Sequence, residues 1–278
     1  MLVTMKEMLE DARKNHYAIP AFDVSNYEMM KAVLETCEEE KSPALLMGLG
    51  VDLQGKNMSL LTSMIKASSE FFNVPVCFHL DHATDFSFIK EAIDAGFSSV
   101  MYDGSALPYE QNLANTKKVC EVAHACGVSV EAELGSIAAG DKSHEGSADD
   151  KEVYTDPKLA KEFVEITKVD ALAVSVGTVH GLYKGKPNIR FDILEEINKE
   201  VGIPLVMHGG SGIPEEDILK SIANGISKIN VNTEIATYAV EQTAKYLQEK
   251  QPHFSVLSLK QEEFVKDIVK KYIAFFGM

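Results

Sequence analysis

The stretch Val74-Pro-Val-Cys-Phe-His-Leu-Asp-His82 is an apolar run that ends in polar side chains able to bind a metal. Two later runs end in the same way, Ala171-Leu-Ala-Val-Ser-Val-Gly-Thr-Val-His180 and Ile203-Pro-Leu-Val-Met-His208. The last two histidines are 28 residues apart, about one strand-helix unit, and the first two are 98 apart, about three units. Active sites of parallel α/β barrels lie at the C-terminal ends of the strands. The spacing therefore predicts that a barrel brings the three imidazoles together.

A metal site is the simplest use for three such histidines. One alone would be read as a hydrogen-bonded core or surface residue. Three neutral imidazoles suit Zn²⁺, and three protein ligands leave a fourth position open, as in catalytic zinc sites. His79 also belongs to the first run, and we expect it to point into the packing of its own strand.

Short apolar segments alternate with helical patterns along the whole chain, as in repeated strand-helix units with a parallel sheet. Two more helical patterns, 232–249 and 258–275, follow the last strand. We predict one domain over residues 1–278, a (β/α)8 TIM barrel with a C-terminal helical extension. The predicted strands lie near residues 18–22, 44–48, 75–80, 98–102, 128–132, 171–175, 204–208 and 227–231.

Composition excludes several classes of function. The net charge of −15, with no cluster of Lys and Arg, argues against a nucleic-acid partner. The apolar stretches are too short to cross a bilayer, and acids stand where a signal peptide would be apolar. The four cysteines show no Cys-x-x-Cys spacing and are expected to be reduced thiols. We therefore expect a cytoplasmic protein with no membrane contact.

Carboxylates accompany two of the predicted strand ends. Asp81 stands beside His82, where it suits general acid/base work, but an N-cap for the helix that begins near Asp85 fits its position equally well. Glu131 and Glu133 alternate onto one face of the fifth predicted strand. Two carboxylates inside a barrel are costly unless they meet cations, which favours a role in the site.

The segment His208-Gly-Gly-Ser-Gly-Ile-Pro214 lies between the seventh predicted strand and a helix. Glycines there let backbone N–H groups close on an anion, although a tight turn explains the segment as well. Its place after strand seven strengthens the anion reading, because barrel phosphate sites use the loops after strands seven and eight. Other candidate groups for this phosphate corner are Gly181, Lys184, Asn230, Asn232 and Thr233.

Five ordered motifs match one family. The chain resembles the class II, metal-dependent ketose-bisphosphate aldolases, which include fructose-1,6-bisphosphate and tagatose-1,6-bisphosphate aldolases, over essentially its whole length. The motifs that carry the resemblance are His79-Leu-Asp-His82, Val130-Glu-Ala-Glu-Leu-Gly135, Gly177-Thr-Val-His-Gly-Leu-Tyr-Lys184, His208-Gly-Gly-Ser-Gly-Ile-Pro214 and Lys228-Ile-Asn-Val-Asn-Thr-Glu234.

The resemblance implies an aldehyde-lyase that cleaves a phosphorylated ketose reversibly into dihydroxyacetone phosphate and an aldehyde such as glyceraldehyde 3-phosphate. The cleavage would pass through a zinc-stabilised enediolate, with fructose or tagatose 1,6-bisphosphate as the expected substrate. A homodimer or homotetramer is expected as well.

The same resemblance assigns roles to residues. His82, His180 and His208 would bind the catalytic Zn²⁺, and Asp81 would handle the proton at the C4 oxygen. Asp103 and Glu133 match residues that bind a second or displaced divalent metal in some members. The phosphate would be held by Gly181, Lys184, Gly209, Ser211, Asn230, Asn232 and Thr233, with a monovalent cation (Na⁺ or K⁺) near Val179, Gly181, Gly209 and Ser211.

Three departures from the family pattern concern the substrate. The lid reads Ala138-Ala-Gly-Asp-Lys142 where relatives have a glycine pair followed by acids, so Asp141 or Glu145 is the candidate for proton transfer. Asp23 replaces a common Asn, and Gln251-Pro-His-Phe254 replaces a common Asp-Pro-Arg segment. A ketose 1-phosphate or a modified sugar phosphate is therefore the alternative to a bisphosphate.

Two other functions remain open at this point. A zinc hydrolase would use the same histidines with Asp81 as the base acting on water, although the glycine-rich phosphate corner speaks against it. A barrel that keeps its metal only as a binding or scaffold protein is the second alternative, since fold alone does not establish activity.

Overall fold

The computed structural model describes residues 2–143 and 152–277 and contains a closed barrel of eight parallel strands. The strands are β1 Ile19–Asp23, β2 Ala44–Leu49, β3 Val76–Ala83, β4 Ser99–Tyr102, β5 Ser129–Leu134, β6 Ala138–Ala139, β7 Ala171–Val174, β8 Val179–His180, β9 Leu205–Met207 and β10 Ile226–Val231. The order around the barrel is β1-β10-β9-β7-β5-β4-β3-β2, and a separate two-stranded pair is formed by β6 and β8. The predicted TIM barrel is confirmed.

Helices connect the barrel strands, and local signals set several of their ends. The Asp85 side chain accepts a hydrogen bond from the Ser87 N–H and caps the helix Phe86–Ala95, while Gly96 ends that helix with φ of 109°. The N-cap alternative for Asp81 is thereby excluded. The helices are α1 Met5–Asn15, α2 Tyr27–Glu39, α3 Asn57–Ser68, α4 Phe86–Ala95, α5 Tyr109–Ala125, α6 Pro157–Thr167, α7 Phe191–Glu200, α8 Glu215–Ala223, α9 Thr233–Glu249 and α10 Phe254–Phe275.

The inside of the barrel is apolar at its N-terminal end. Helix α1, which the sequence analysis did not predict, packs Met5, Met8 and Leu9 against inward-facing Ile19 and Leu45. A second and larger apolar core lies between the barrel and its surrounding helices. Two buried serines, Ser99 and Ser129, also contact Met5 at this end. The acidic and histidine side chains of the interior lie beyond this layer, where the site lies.

The C-terminal extension matches its predicted place and consists of α9 and α10. Tyr272 of α10 is buried, and its hydroxyl lies 2.5 Å from Glu234 Oε2 at the start of α9. Within the described residues, no helix has the length and apolar character needed to span a membrane.

Candidate active site

The three predicted histidines converge at the C-terminal mouth of the barrel. His82 lies at the end of β3, His180 ends β8, and His208 directly follows β9. One ring nitrogen from each lies within 4.8 Å of those of the other two. His82 has a φ of 46°, a left-handed conformation that a non-glycine residue adopts at a cost and that is typical of functional sites.

Carboxylates fix the orientation of two of these rings. Asp103 Oδ2 lies 2.8 Å from His82 Nδ1, and Glu131 Oε1 lies 2.9 Å from His208 Nε2. A metal-ligating histidine commonly donates its other ring N–H to such a carboxylate, which sets the tautomer. His82 is therefore left with Nε2, and His208 with Nδ1, as the ligand atom.

The donor set fits a divalent metal such as zinc. Ring nitrogens of the three histidines lie within 4.8 Å of one another, and carboxylates contact two of the rings. This arrangement matches the three-ligand pattern of catalytic zinc sites. Three protein ligands would leave one coordination position of a bound zinc ion for a substrate oxygen.

Asp81 is completely buried beside this cluster. Asn230 Nδ2 donates to both of its oxygens, at 3.3 and 3.1 Å. Burial raises the pKa of the Asp81 carboxyl, but the charges of His82 and Lys228 contribute to a larger opposing effect that lowers it below its ordinary value. Asp81 is therefore ionised at neutral pH and able to accept a proton. Asn230, predicted at the phosphate corner, contacts this carboxylate.

His79 lies elsewhere than its sequence indicated. Its ring faces the barrel axis, with Nδ1 2.7 Å from Ser99 Oγ and Nε2 3.6 Å from Glu131 Oε2 and 3.8 Å from Asp81 Oδ1. Strand alternation explains this, because His79 and Asp81 are two residues apart and share a face. Burial, followed by the charge of Lys228, lowers the pKa of His79 to about 3, so the ring is neutral.

The cluster of His79, Asp81 and Glu131 has metal-ligating residue types, but its carboxylates already meet other donors. Lys228 Nζ lies 2.8 Å from Glu131 Oε2, and Asn230 donates to Asp81. An ammonium so close would repel a cation, so the three-histidine site fits a metal better.

A second carboxylate pair adjoins the three-histidine site. Asp103, Glu133 and His82 form a group whose ligand atoms lie within 4.8 Å of one another. Glu133 Oε2 is also 3.1 Å from His208 Nδ1. Burial, and then the charge of Asp103, raises the pKa of the Glu133 carboxyl. This group therefore brings two carboxylates and one imidazole together beside the three-histidine site.

Several residues predicted to bind phosphate lie beside β8 and β10. Gly209 has a φ of 69°, and a Cβ built on it would lie 2.1 Å from the Val179 carbonyl oxygen, so only glycine fits. Tyr183 donates its hydroxyl proton to the Gly209 carbonyl at 2.8 Å, and Ser211 Oγ accepts from the Glu234 N–H at 3.0 Å. Helix α9 begins at Thr233 in this corner, and helix N-termini favour anions.

The start of the lid pairs with the loop that carries His180. Asp141 and Leu182 exchange two backbone hydrogen bonds, and the Asp141 carboxylate lies 3.4 Å from the exposed Lys184 ammonium. One candidate proton-transfer residue therefore lies next to one candidate phosphate ligand. Glu145, the other candidate, is outside the described residues.

Several residues of the site were missed by the sequence analysis. Lys228 and Tyr183 lie inside quoted motifs, yet no role was read for them. Alternation from Asn230 would have placed Lys228 inside the barrel. Glu234 was quoted in the same motif, but its contact with distant Tyr272 has no local signal.

Comparison with known proteins identifies the family. The sequence model of the family described as fructose-bisphosphate aldolase class-II matches residues 3–278. The chain belongs to the class II fructose-bisphosphate aldolase family. Its members are metal-dependent aldehyde-lyases, so the aldolase expectation is confirmed, and the hydrolase and scaffold alternatives lose their support.

Relatives of this aldolase cover most of the chain. A Staphylococcus aureus (strain Mu50 / ATCC 700699) protein named fructose-bisphosphate aldolase is 47% identical over 236 residues, which cover 84% of this chain and 82% of the relative. A Bacillus subtilis (strain 168) protein named probable fructose-bisphosphate aldolase is 48% identical over 238 residues, with the same coverage. The crystal structure of the YdjI aldolase from Escherichia coli K12 superposes with a TM-score of 0.89 at 34% identity, covering 100% of this chain and 98% of that one.

Metal binding by this aldolase is expected to release a proton from His208. Burial lowers the pKa of His208, but hydrogen bonds to Glu131 and Glu133 outweigh it and raise the pKa to about 9. Below that value a proton occupies the metal-binding nitrogen, so apparent zinc affinity should rise about tenfold per pH unit as the pH increases towards 9. Calorimetry in two buffers with different ionisation enthalpies measures the released proton. An affinity that stays flat between pH 7 and 8.5, with no proton released, would contradict this assignment.

Proposed function

We propose that this aldolase cleaves a phosphorylated ketose reversibly into dihydroxyacetone phosphate and an aldehyde. Fructose 1,6-bisphosphate and tagatose 1,6-bisphosphate are the first candidate substrates. The observation that carries the proposal is the placement of an ionised, buried Asp81 beside three convergent histidines and a glycine-rich phosphate corner. The names of the relatives support the same substrates.

The residues have complementary tasks in this reaction. His82, His180 and His208 would hold Zn²⁺, which when bound supplies a Lewis acid next to the substrate ketone. Asp81 accepts the proton of the C4 hydroxyl. The electrons of that O–H bond then form the aldehyde carbonyl as the C3–C4 bond breaks, and the electron pair of the C3–C4 bond remains on the dihydroxyacetone phosphate half.

The remaining groups bind and orient the substrate. Asn230 holds Asp81 in place through its two hydrogen bonds. The donor phosphate would lie against Gly181, Lys184, Gly209, Ser211, Asn232 and Thr233. Asp141 or Glu145 would return a proton to C3 of the donor half.

Additional ions fit near this site. A second divalent ion would use Asp103 and Glu133. Burial, and then the charge of Asp103, raises the pKa of the Glu133 carboxyl, and a cation would offset the repulsion between the two carboxyls. A monovalent cation, Na⁺ or K⁺, would lie by Val179, Gly181, Gly209 and Ser211, where segments of loop backbone approach one another closely.

All four cysteines are free thiols and three are buried, which supports a cytoplasmic location.

The function is tested by release of dihydroxyacetone phosphate in a coupled assay, with and without a chelator. Asp81→Asn keeps the shape of the side chain but loses its charge. We expect it to retain zinc and to lower kcat by about 10²- to 10⁴-fold. Asp85→Asn is the matched control, since Asp85 only caps α4, and it should stay within a few-fold of wild type. Undiminished turnover by Asp81→Asn would overturn the assignment of the base.

A ketose 1-phosphate without a second phosphate is the second candidate substrate. Asp23 ends β1 and is buried, and its strand neighbour in β10 leads into Asn232, so a carboxylate lies at the mouth beside the phosphate corner. The segment Gln251–Phe254 supplies no arginine. A bisphosphate carries more negative charge than a ketose 1-phosphate, so the carboxylate at the mouth and the lack of an arginine in this segment both disfavour it.

Replacement of Asp23 tests that candidate. Asp23→Asn removes one negative charge and should raise kcat/KM for fructose 1,6-bisphosphate, relative to fructose 1-phosphate, by about tenfold at low salt. Asp52→Asn, on the neighbouring loop of the same rim, is the control and should leave the ratio unchanged. An unchanged ratio in Asp23→Asn would remove Asp23 from substrate selection.

We also propose that the protein is a homo-oligomer, a dimer or a tetramer. Large apolar side chains are exposed on α9 and α10, among them Val240, Leu247, Phe254 and Leu259. Val240 and Leu247 line a groove between α9 and α2. Exposed apolar patches of this kind are typical of association surfaces.

Light scattering coupled to size exclusion measures the assembly. The wild type should elute as a dimer or larger, and Val240→Asp combined with Leu259→Asp should shift it towards the monomer. A wild-type protein that is monomeric at micromolar concentration would contradict the proposal.

A further inference from the structure

A fully buried ion pair crosses the barrel below the three histidines. Lys228 of β10 and Glu131 of β5 are both 0% exposed, and Nζ lies 2.8 Å from Oε2. Their strands are separated by β9 and β7, so the pair reaches across the interior and does not join neighbouring strands. Glu131 is also the hydrogen-bond partner of His208, whereas Lys228 contacts none of the three histidines.

Stability alone is a poor reason for such a pair. Moving two charges out of water costs several kcal/mol each, and apolar replacements of similar volume are often neutral or stabilising. Apolar packing is available nearby, because Ala21, Leu45 and Val206 face the same interior. A use for the charges themselves is therefore the better explanation.

The second oxygen of Glu131 indicates that use. Oε1 lies 2.9 Å from His208 Nε2, while Oε2 is taken by Lys228. A carboxylate only accepts hydrogen bonds, so the hydrogen of the His208 ring must be on Nε2. Nδ1, which lies 3.1 Å from Glu133 Oε2, is then the nitrogen that would release its proton and present a lone pair to a metal.

We propose that Lys228 and Glu131 are positioning residues for the metal site, in which Lys228 offsets the charge of Glu131 and Glu131 fixes the tautomer and orientation of His208. Lys228 touches neither metal nor substrate in this arrangement and acts through Glu131. His79 Nε2, 3.6 Å from Glu131 Oε2, is too far for a hydrogen bond and leaves that oxygen to Lys228.

Asp103 performs the corresponding task for His82 without a lysine partner. It is partly accessible at the mouth, and Ser105 donates to its other oxygen from both N–H and Oγ. Glu131 lies deeper, where water does not reach it. The deeper carboxylate therefore needs a buried cation, whereas the shallower one is satisfied by neutral donors.

The inference rests on the proposed metal site and is independent of the sugar that is cleaved. The test compares Lys228→Met, Glu131→Gln and the double variant by zinc affinity in a competition with a chromophoric chelator. Lys228→Met alone leaves Glu131 charged and buried and is the variant most prone to unfold. The double variant removes both charges, so it keeps the test valid.

We expect the folded double variant to bind zinc about 10- to 100-fold more weakly than wild type, the usual effect of losing the partner of a ligating histidine. Its metal-free melting temperature should change much less than that of Lys228→Met. The matched control is Lys6→Met with Asp170→Asn, another buried-carboxylate ion pair at the opposite end of the barrel. Zinc affinity in that control should equal that of wild type.

A second measurement needs no variant. Nitrogen NMR of the zinc-loaded wild type should assign a hydrogen to His208 Nε2 and the metal bond to Nδ1. Zinc bound through Nε2, or wild-type affinity in the folded double variant, would overturn the proposal. Loss of zinc in His180→Ala is a separate outcome that tests the metal site itself, so its failure is distinguishable from failure of this inference.

Discussion

The Glu131 carboxylate lies at the axis of the barrel and must be compensated on both of its oxygens. Burial alone would raise its pKa, but Lys228 and the hydrogen bond from His208 hold it below the ordinary value. One interaction with each partner thus connects β5 to β9 and β10 in the interior. The Glu131 carboxylate therefore orients a metal-ligating histidine through one oxygen, while Lys228 compensates its buried charge at the other.

Apolar and ionisable side chains occupy different levels along the axis of the barrel. At the N-terminal end, α1 closes the interior with methionine and leucine side chains. Towards the C-terminal mouth the inward positions become His79, Asp81, Glu131 and Glu133, all buried. Electrostatic interactions between charged groups are stronger in this water-poor layer than at a surface, which suits a site that must hold a metal and move a proton.

The sequence predicted most of this arrangement because strand ends carry local signals. Apolar runs ending in His82, His180 and His208 located the barrel and its mouth, and all eight predicted strands lie in the structure. Spacing could not show which inward groups pair across the barrel. The contact of Asn230 with Asp81 and that of Lys228 with Glu131 join residues 149 and 97 positions apart. The inward position of His79 does have a local signal, because strand alternation places it on the same face as Asp81.

The C-terminal extension contacts the start of α9, and no sequence pattern near the site predicts this contact. The Tyr272 hydroxyl and the Lys271 ammonium both contact the Glu234 carboxylate, and Gly212 donates its backbone N–H to the same group. Helix α10 thereby braces the start of α9 and the loop after β9, the two elements that shape the phosphate corner. Periodicity predicts such a helix but not where it docks.

The convergence of three histidines on one metal is tested most directly by anomalous diffraction at the zinc edge from crystals of the metal-loaded protein. We expect one strong peak about 2.0–2.1 Å from His82 Nε2, His208 Nδ1 and a ring nitrogen of His180. A peak at the deeper group of His79, Asp81 and Glu131, or none within reach of the three histidines, would contradict the account.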